Sequence, residues 1–173
     1  MNYPISLTAA NDLYGCEFER VFGNVIELCV DAAVQVKKQR PFTSVDEVVD
    51  AFAGYLDGLS ENEKVVVIQR HPDLAGRLAA EGKLTTESAS EQKTAGLDRL
   101  TPEQKTLINC NNERYKAKFG FPFIICAREN KVASIIEGLQ RRYNNTLAQE
   151  IQTATGEIKK ICKLRILDLV KDD

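Results

Sequence analysis

The chain has 173 residues, 43% of them hydrophobic and 28% charged, and carries a formal net charge of −2. This length and composition predict one compact globular domain over residues 1–173, large enough to bury a sizeable core. The charge is small and there is no basic block, and no apolar run reaches the roughly 20 residues that span a bilayer. We therefore expect neither a nucleic-acid nor a membrane partner.

Cysteine and histidine usage limits the covalent and metal chemistry. The five cysteines are odd in number, widely spaced and without a C-x-x-C pair, namely Cys16, Cys29, Cys110, Cys126 and Cys162. We expect free thiols in a reducing compartment rather than a disulfide framework. Because zinc sites need clustered cysteine and histidine ligands and the chain has one histidine, we expect no metal site.

Helix signals in the first half of the chain begin with two apolar stretches, residues 18–22 and 25–36, which predict two helices ending before Pro41. Capping boxes follow at Ser44-Val-Asp-Glu and Ser60-Glu-Asn-Glu. In this motif the serine and the glutamate three residues later bind free backbone N–H groups at a helix start. Apolar residues at helical spacing follow each box, so two further helices are predicted.

The second half contains the best-defined helix start, Thr101-Pro-Glu-Gln, which combines a capping threonine, a proline at the first helical position and a glutamine three residues after the cap. This helix is expected to end at Gly120. One of its faces carries Leu107, Asn111, Tyr115 and Phe119. Apolar residues between Val132 and Leu139, and the run after the turn at residues 144–146, predict two more helices.

Residues 121–126, Phe-Pro-Phe-Ile-Ile-Cys, are the one β-like run. Pro122 and the lack of a second candidate strand argue against a sheet. The prediction is an all-α fold: a single compact domain of about eight helices with one extended segment near residues 121–127.

The histidine, His71, directly precedes Pro72. A proline ring disfavours helical backbone for the residue before it, so the preceding helix should end near Arg70. Asp73 would then cap a short helix that starts at Leu74. Histidine has an unperturbed pKa suited to proton transfer near neutrality, which makes His71 a candidate for chemistry. A hydrogen-bonded structural histidine is the alternative.

A second candidate group is Ser88, Glu91 and Gln92, which share one helical face with Ala95. Hydroxyl, carboxylate and amide groups above a small residue suit the floor of a polar pocket for a urea-like ligand. The alternative is a solvated helix face.

The extended run from Phe123 to Ala127 is a third candidate, because backbone groups outside secondary structure can bind a planar heterocycle. A buried connector is the alternative. The sequence contains no glycine-rich phosphate loop, no nucleophile elbow and no thiamine, pyridoxal or flavin signature.

Three segments occur in this order along the chain: His71-Pro-Asp-Leu-Ala-Gly-Arg77, Ser88-Ala-Ser-Glu-Gln92 and Lys118-Phe-Gly-Phe-Pro-Phe-Ile-Ile-Cys-Ala-Arg128. Together with Asn111 and Tyr115, they resemble the 2-oxo-4-hydroxy-4-carboxy-5-ureidoimidazoline (OHCU) decarboxylase family. The resemblance extends to the closing segment Ile161-Cys-Lys-Leu-Arg-Ile-Leu-Asp-Leu169. That family is all-α, cofactor-free and commonly dimeric, and it catalyses the last step from urate to (S)-allantoin.

The resemblance implies a cofactor-independent decarboxylase whose small-molecule substrate is this ureidoimidazoline. It implies a catalytic role for His71, as proton donor and general acid–base group, and for Glu91. It also implies substrate contacts for Pro72, Ser88, Gln92, Phe123, Ile124, Ile125, Cys126, Ala127 and Arg165. An inactive helical ligand-binding or adaptor domain on the same scaffold is the alternative function. A hydrolase is a third reading, but it would need a water-activating metal or a base–nucleophile pair that the sequence does not offer.

The sequence also bears on the oligomeric state and the cellular compartment of the protein. The last helix carries a wide apolar face, made of Ile151, Ile158, Ile161, Leu164, Ile166, Leu167, Leu169 and Val170. Either a homodimer covers this face or the monomer core does, and the resemblance favours the homodimer. Some family members end in a peroxisomal tripeptide, whereas this chain ends Lys-Asp-Asp. We therefore predict a cytoplasmic protein, with a peroxisomal location as the alternative.

Overall fold

The computed structural model describes residues 3–173, which contain ten α-helices, two 3-10 turns and two short strands. In chain order the helices are α1 (Leu7–Asp12), α2 (Gly15–Phe22), α3 (Val30–Val36), α4 (Val45–Asp57), α5 (Glu61–Gln69), α6 (Arg77–Ala80), α7 (Thr86–Thr94), α8 (Pro102–Phe119), α9 (Val132–Arg142) and α10 (Leu147–Leu169). The all-α prediction is confirmed. Helix α1 was not predicted, because its six residues are too few to show a helical period.

Contacts within the chain define two compact units. The first unit comprises residues 3–70 and Lys159–Asp173, and the second unit is His71–Ile158. Helix α10 contributes to both, because its residues up to Ile158 belong to the second unit and its remainder to the first.

The first unit has a core of aromatic and aliphatic side chains from α2, α3 and α4. Phe18, Phe22 and Phe52 are fully buried, and their neighbouring rings lie 4.6 Å and 6.2 Å apart between centroids. The helix predicted for residues 25–36 begins only at Val30. Leu28 has a φ of 51°, which interrupts a right-handed helix.

The two strands, β1 (Ile5–Ser6) and β2 (Val170–Lys171), also belong to the first unit. They pair in parallel, with Ile5 opposite Val170 and Ser6 opposite Lys171. Two-residue strands leave no alternating pattern in a sequence, so the expectation of no sheet missed them. The β-like run at residues 121–126 is not a strand, as predicted.

The predicted helix starts are confirmed by the cap hydrogen bonds. The side chain of Ser44 accepts from the Glu47 N–H, Ser60 forms a capping box with Glu63, and Thr101 forms one with Gln104. Pro102 occupies the first turn of α8. These contacts satisfy backbone N–H groups that have no partner within their helices.

The second unit is built around α8, which packs against α9. Helix α8 ends at Gly120, whose φ of 79° is left-handed and whose N–H donates to Lys116 O. The buried face of α8 consists of Ile108, Asn112, Tyr115 and Phe119. The predicted face was wrong in its first half, because Leu107 is 40% exposed and its neighbour Ile108 is buried instead.

After Gly120 the chain runs extended through an aromatic cluster. The ring of Tyr115 lies 4.6 Å from Phe119, 6.1 Å from Phe121 and 5.4 Å from Phe123, measured between centroids. These rings hold residues 121–126 against α8 without strand pairing. A short 3-10 turn, Ala127–Glu129, follows and packs against α7.

Candidate active site

Every predicted site residue except Arg165 belongs to the second unit. His71 is its first residue and directly follows Arg70, the C-cap of α5, so the helix ends before the His-Pro pair as predicted. The His71 side chain is 8% exposed. It begins a non-helical loop that continues to Gly76.

The loop at residues 71–76 corrects one prediction. Asp73 does not cap a helix at Leu74, because α6 begins only at Arg77 with Gly76 as its N-cap. Ala75 has a φ of 51°, which excludes a right-handed helix there. The Asp73 carboxylate instead pairs with Lys116 of α8 at 3.0 Å.

Gln92 of α7 fixes this loop through both ends of its amide. Its Oε1 accepts from the Ala75 N–H at 2.9 Å, and its Nε2 donates to the Asp73 carbonyl at 3.3 Å. Gln92 is 5% exposed, so these bonds are shielded from water. An amide has two donors and two lone pairs, so capacity for a ligand is left. Gln92 therefore ties the histidine loop to α7.

Asn112 of α8 is a second anchor of the loop, and sequence reasoning missed it. Its Nδ2 donates to the Leu74 carbonyl at 3.0 Å, and its side chain is 5% exposed. The available signal was its spacing from Ile108 and Tyr115, which places all three on one face of the helix.

The predicted face of α7 is buried rather than solvated. Ser88 and Gln92 are each 5% exposed, Ala95 is 1% exposed and Glu91 is half-buried. The Thr85 Oγ1 caps the helix by accepting from the Ser88 N–H at 3.2 Å. Ser88 and Gln92 are therefore not part of a solvated helix face, whereas Glu91 keeps partial exposure.

The extended segment Phe123–Ala127 is buried except at Ile125, which is half-buried. Several of its backbone groups already have protein partners. The Ile124 carbonyl accepts from Arg142 Nη1 at 2.6 Å, and the Cys126 N–H donates to Glu157 Oε1 at 3.2 Å. Within residues 3–173, the backbone groups of Ile125 have no such partner, which leaves them available to a ligand.

Carboxylates surround this segment and alter the acidity of its thiol. Burial raises the pKa of Cys126 to about 11, and the negative charges of Glu129, Glu157 and Glu91 contribute in the same direction. The Cys126 side chain is therefore an uncharged thiol near neutral pH. Helix α7, which carries Glu91, packs against the 3-10 turn that ends this segment.

Helix α7 thus connects the three sequence-predicted groups. Gln92 holds the loop after His71, Glu91 acts electrostatically on Cys126, and the helix packs against the turn that ends the extended segment. A polar floor, a histidine loop and open backbone groups at Ile125 therefore lie around one helix. Such an arrangement can bind the N–H and C=O groups of a planar ligand and move a proton beside it.

Arg165 lies in the first unit and is 4% exposed. Its Nη2 donates to Glu27 Oε2 at 2.9 Å, and its Nη1 donates to the Asn24 carbonyl at 2.8 Å. Glu27 is itself 2% exposed, so the two form a buried ion pair. These contacts give Arg165 a structural task in its own unit, and its substrate contact stays a prediction.

The second unit also contains an open groove of about 1010 Å³. Its walls include Asp73, Lys93, Asn112 and Lys116. Of the predicted site residues, Gln92 alone lines it. The groove is therefore distinct from the His71, Glu91 and Phe123–Ala127 group.

Among residues 3–173, no three His, Cys, Asp or Glu side chains are placed to hold a metal ion. No helix in that range is long and apolar enough to cross a membrane.

Comparisons with known sequences cover most of the chain. The family model for OHCU decarboxylase matches residues 11–167. A protein of Xenopus laevis named 2-oxo-4-hydroxy-4-carboxy-5-ureidoimidazoline decarboxylase is 39% identical, with 95% of this chain and 94% of that protein aligned. A protein of Amia calva with the same name is 40% identical, over 96% of this chain and 95% of its own length.

Comparisons with solved structures agree on the fold. A crystal structure of (S)-allantoin synthase superposes with a TM-score of 0.76 at 20% identity, covering 95% of this chain and 53% of that one. A crystal structure of OHCU decarboxylase in the presence of (S)-allantoin gives a TM-score of 0.67 at 24% identity, covering 87% of this chain and 94% of that one.

Proposed function

Because the chain belongs to the OHCU decarboxylase family, we propose that it decarboxylates 2-oxo-4-hydroxy-4-carboxy-5-ureidoimidazoline to (S)-allantoin in urate degradation. The observation that carries the proposal is the grouping of the His71 loop, Glu91 and the Phe123–Ala127 segment around α7 in one unit. One functional domain over residues 1–173 is part of the proposal, and the family match over residues 11–167 supports it.

The substrate supplies its own electron sink, which is why the proposed reaction needs no cofactor. Its carboxylate is bonded to a carbon beside a ring C=N. When that carbon–carbon bond breaks, carbon dioxide leaves and the bonding electron pair moves toward the C=N group. The ring nitrogen takes a proton from the solvent, and an enol-like intermediate results. It then loses its hydroxyl proton and gains a proton on the neighbouring ring carbon, which sets the handedness of the product.

His71 is the proposed group for both proton movements. An imidazole can take a proton from the hydroxyl and deliver one to the ring carbon near neutral pH. The loop that carries His71 is fixed by Gln92 and Asn112, and a fixed position favours delivery to one face of the ring.

Binding of the ring is assigned to the residues around α7. Glu91 would accept hydrogen bonds from the ring or ureido N–H groups, and Ser88 and Gln92 would fix the ring. Pro72 would contact it beside His71. The open backbone groups at Ile125 would complete the contacts, with the rest of Phe123–Ala127 as their support. Arg165 stays in the proposal as a substrate-binding residue on the family resemblance alone.

We propose further that the enzyme is a homodimer in the cytoplasm. The dimer rests on the family resemblance and on Leu167, which is 45% exposed on α10. Most of the wide apolar face of α10 is buried within the chain itself, for example at Ile158, Ile161 and Ile166. These buried residues therefore add little support for a dimer interface. The five free cysteines support a reducing compartment.

Release of carbon dioxide tests the proposed function directly. The protein is dialysed exhaustively against EDTA and mixed with freshly generated substrate. We expect release well above the spontaneous rate, since the proposed chemistry uses no metal. Release no faster than without protein would contradict the proposal and favour an inactive ligand-binding domain. Activity that needed added zinc or magnesium would contradict the cofactor-free chemistry.

A further inference from the structure

A buried charged cluster in the second unit has no place in the proposed chemistry. Arg142 at the end of α9 is 5% exposed, and Glu150 in α10 and Tyr115 in α8 are fully buried. Arg142 Nε donates to Glu150 Oε1 at 2.9 Å, and the Tyr115 hydroxyl donates to the same oxygen at 2.5 Å. Asn145 Nδ2 donates to the other carboxylate oxygen at 2.9 Å. Three helices therefore meet at one carboxylate.

The guanidinium of this cluster holds the extended segment at two successive residues. Arg142 Nη1 donates to the Ile124 carbonyl at 2.6 Å. The central guanidinium carbon lies 4.3 Å from the centroid of the Phe123 ring. The next residue is Ile125, whose backbone groups have no protein partner in residues 3–173 and are assigned to the substrate. Arg142 thus fixes the chain directly before the proposed contact point.

Stability alone does not explain the cluster. Desolvating two charges is costly, and buried ion pairs are often replaced by apolar residues without loss of stability. In addition, Arg142 Nη2 is buried and has no hydrogen-bond partner among the described residues, so the cluster is not fully satisfied. The Tyr115 pKa is raised, first by burial and then by Glu150, so the hydroxyl keeps its proton and remains a donor. A cluster with this geometry can hold the backbone of the extended segment in one conformation.

We propose that Arg142 is a positioning residue for substrate binding. Held by Glu150 and Tyr115, it sets the path of Phe123–Ala127 so that the Ile125 backbone groups meet the ring of the substrate. This inference rests on the proposed function and adds a residue that does not itself touch the ligand.

Two variants of the cluster and one control test the inference. Arg142→Lys keeps a positive charge beside Glu150 but cannot bind two oxygens in a fixed plane while stacking on Phe123. The double variant Arg142→Met/Glu150→Gln removes the Ile124 bond without leaving an unpaired buried charge. Arg141→Met is the matched control, because Arg141 is the neighbouring residue on α9 and its side chain is 70% exposed.

The expected result is a split between KM and kcat. Loss of one well-placed hydrogen bond corresponds to about a tenfold change, so KM should rise about tenfold in the double variant and less in Arg142→Lys. Contacts made equally in ground and transition states leave kcat within about twofold of wild type. The control should match wild type in both. A folded double variant with unchanged KM would overturn the inference, as would a loss confined to kcat.

Hydrogen exchange provides a readout that does not depend on turnover. In the unliganded double variant, the Cys126 amide, which is hydrogen-bonded to Glu157, should exchange about tenfold faster than in wild type, while amides in α8 stay protected. Unchanged exchange at residues 124–127 would also overturn the inference. If wild type and the control fail to release carbon dioxide, the proposed function fails, and the exchange experiment alone decides the role of Arg142 in positioning the segment. Should the double variant not fold, Arg142→Lys answers the same questions.

Discussion

At the scale of single residues, the neighbouring residues Glu91 and Gln92 of α7 have different surroundings and different roles. Gln92 is buried, and its amide group is hydrogen-bonded to the backbone of the histidine loop. Glu91 is half-buried and acts electrostatically on Cys126 in the extended segment. The sequence predicted both residues at the site from their common face. It did not predict that Gln92 supports the loop, because that contact joins residues 17 and 19 positions apart.

Replacing Glu91 by Gln tests its proposed contact with the substrate. Loss of the negative charge should weaken transition-state binding by about 1.5–3 kcal/mol, the value of a charge-assisted hydrogen bond, and kcat/KM should fall accordingly. Steady-state kinetics measure the change. Glu87→Gln is the matched control, since Glu87 is exposed one turn earlier on the same helix. An unchanged kcat/KM for Glu91→Gln would remove Glu91 from the site.

At the scale of elements, local signals predicted well and distant contacts did not. The capping residues Ser44, Ser60 and Thr101 and the terminal Gly120 act within a few residues of their own helices, so the sequence shows them directly. The late start of α3 and the missing helix at Leu74 depend on positive φ angles at Leu28 and Ala75. Neither residue type indicates such a conformation, so both were missed.

The charged cluster was also not predicted from the sequence, because its contacts join residues that are far apart in the chain. Arg142 and Glu150 lie on different helices, and Arg142 reaches Ile124, which is 18 positions away. Each charge viewed alone fits a solvated helix face. Only the packing of α8, α9 and α10 in the second unit makes these residues a support for the extended segment.

Replacing Gln92 by Ala should remove the hydrogen bonds that join α7 to the histidine loop. Two buried hydrogen bonds disappear and leave the Ala75 N–H and the Asp73 carbonyl without that partner. We expect the free energy of unfolding to fall by about 1–3 kcal/mol, as judged by urea denaturation. Lys93→Ala, at an exposed neighbouring position, should change it by less than about 0.5 kcal/mol. Equal stability of the two variants would contradict the anchoring role.

At the scale of the whole molecule, the apolar face of α10 bears on assembly. The sequence left two explanations for its width, a dimer interface or a deep core. The structure buries Ile151, Ile158, Ile166 and Val170 within the chain and leaves Leu167 exposed. Most of the width is therefore explained by core packing, since residues buried in the monomer are not available to a partner. The proposed homodimer then depends on a smaller exposed surface than the sequence suggested.

Light scattering at micromolar concentration tests the proposed homodimer. The chain has a mass of 19.3 kDa, so a two-fold pair should give twice that value. Leu167→Glu should shift the mass toward that of the monomer if the exposed side chain lies in the interface, and Lys163→Glu, at another exposed position of α10, serves as its control. A wild-type mass near 19.3 kDa would show that the protein is a monomer.

The proposed role of His71 is to direct the stereospecific formation of allantoin. Circular dichroism of the product, formed from freshly generated substrate, measures both the rate and the handedness. We expect a single enantiomer from wild type. For His71→Asn with an intact helical spectrum, we expect a rate lower by about 10²- to 10⁴-fold and product without net handedness. A folded His71→Asn protein that keeps about half or more of the wild-type rate and yields one enantiomer would contradict the account.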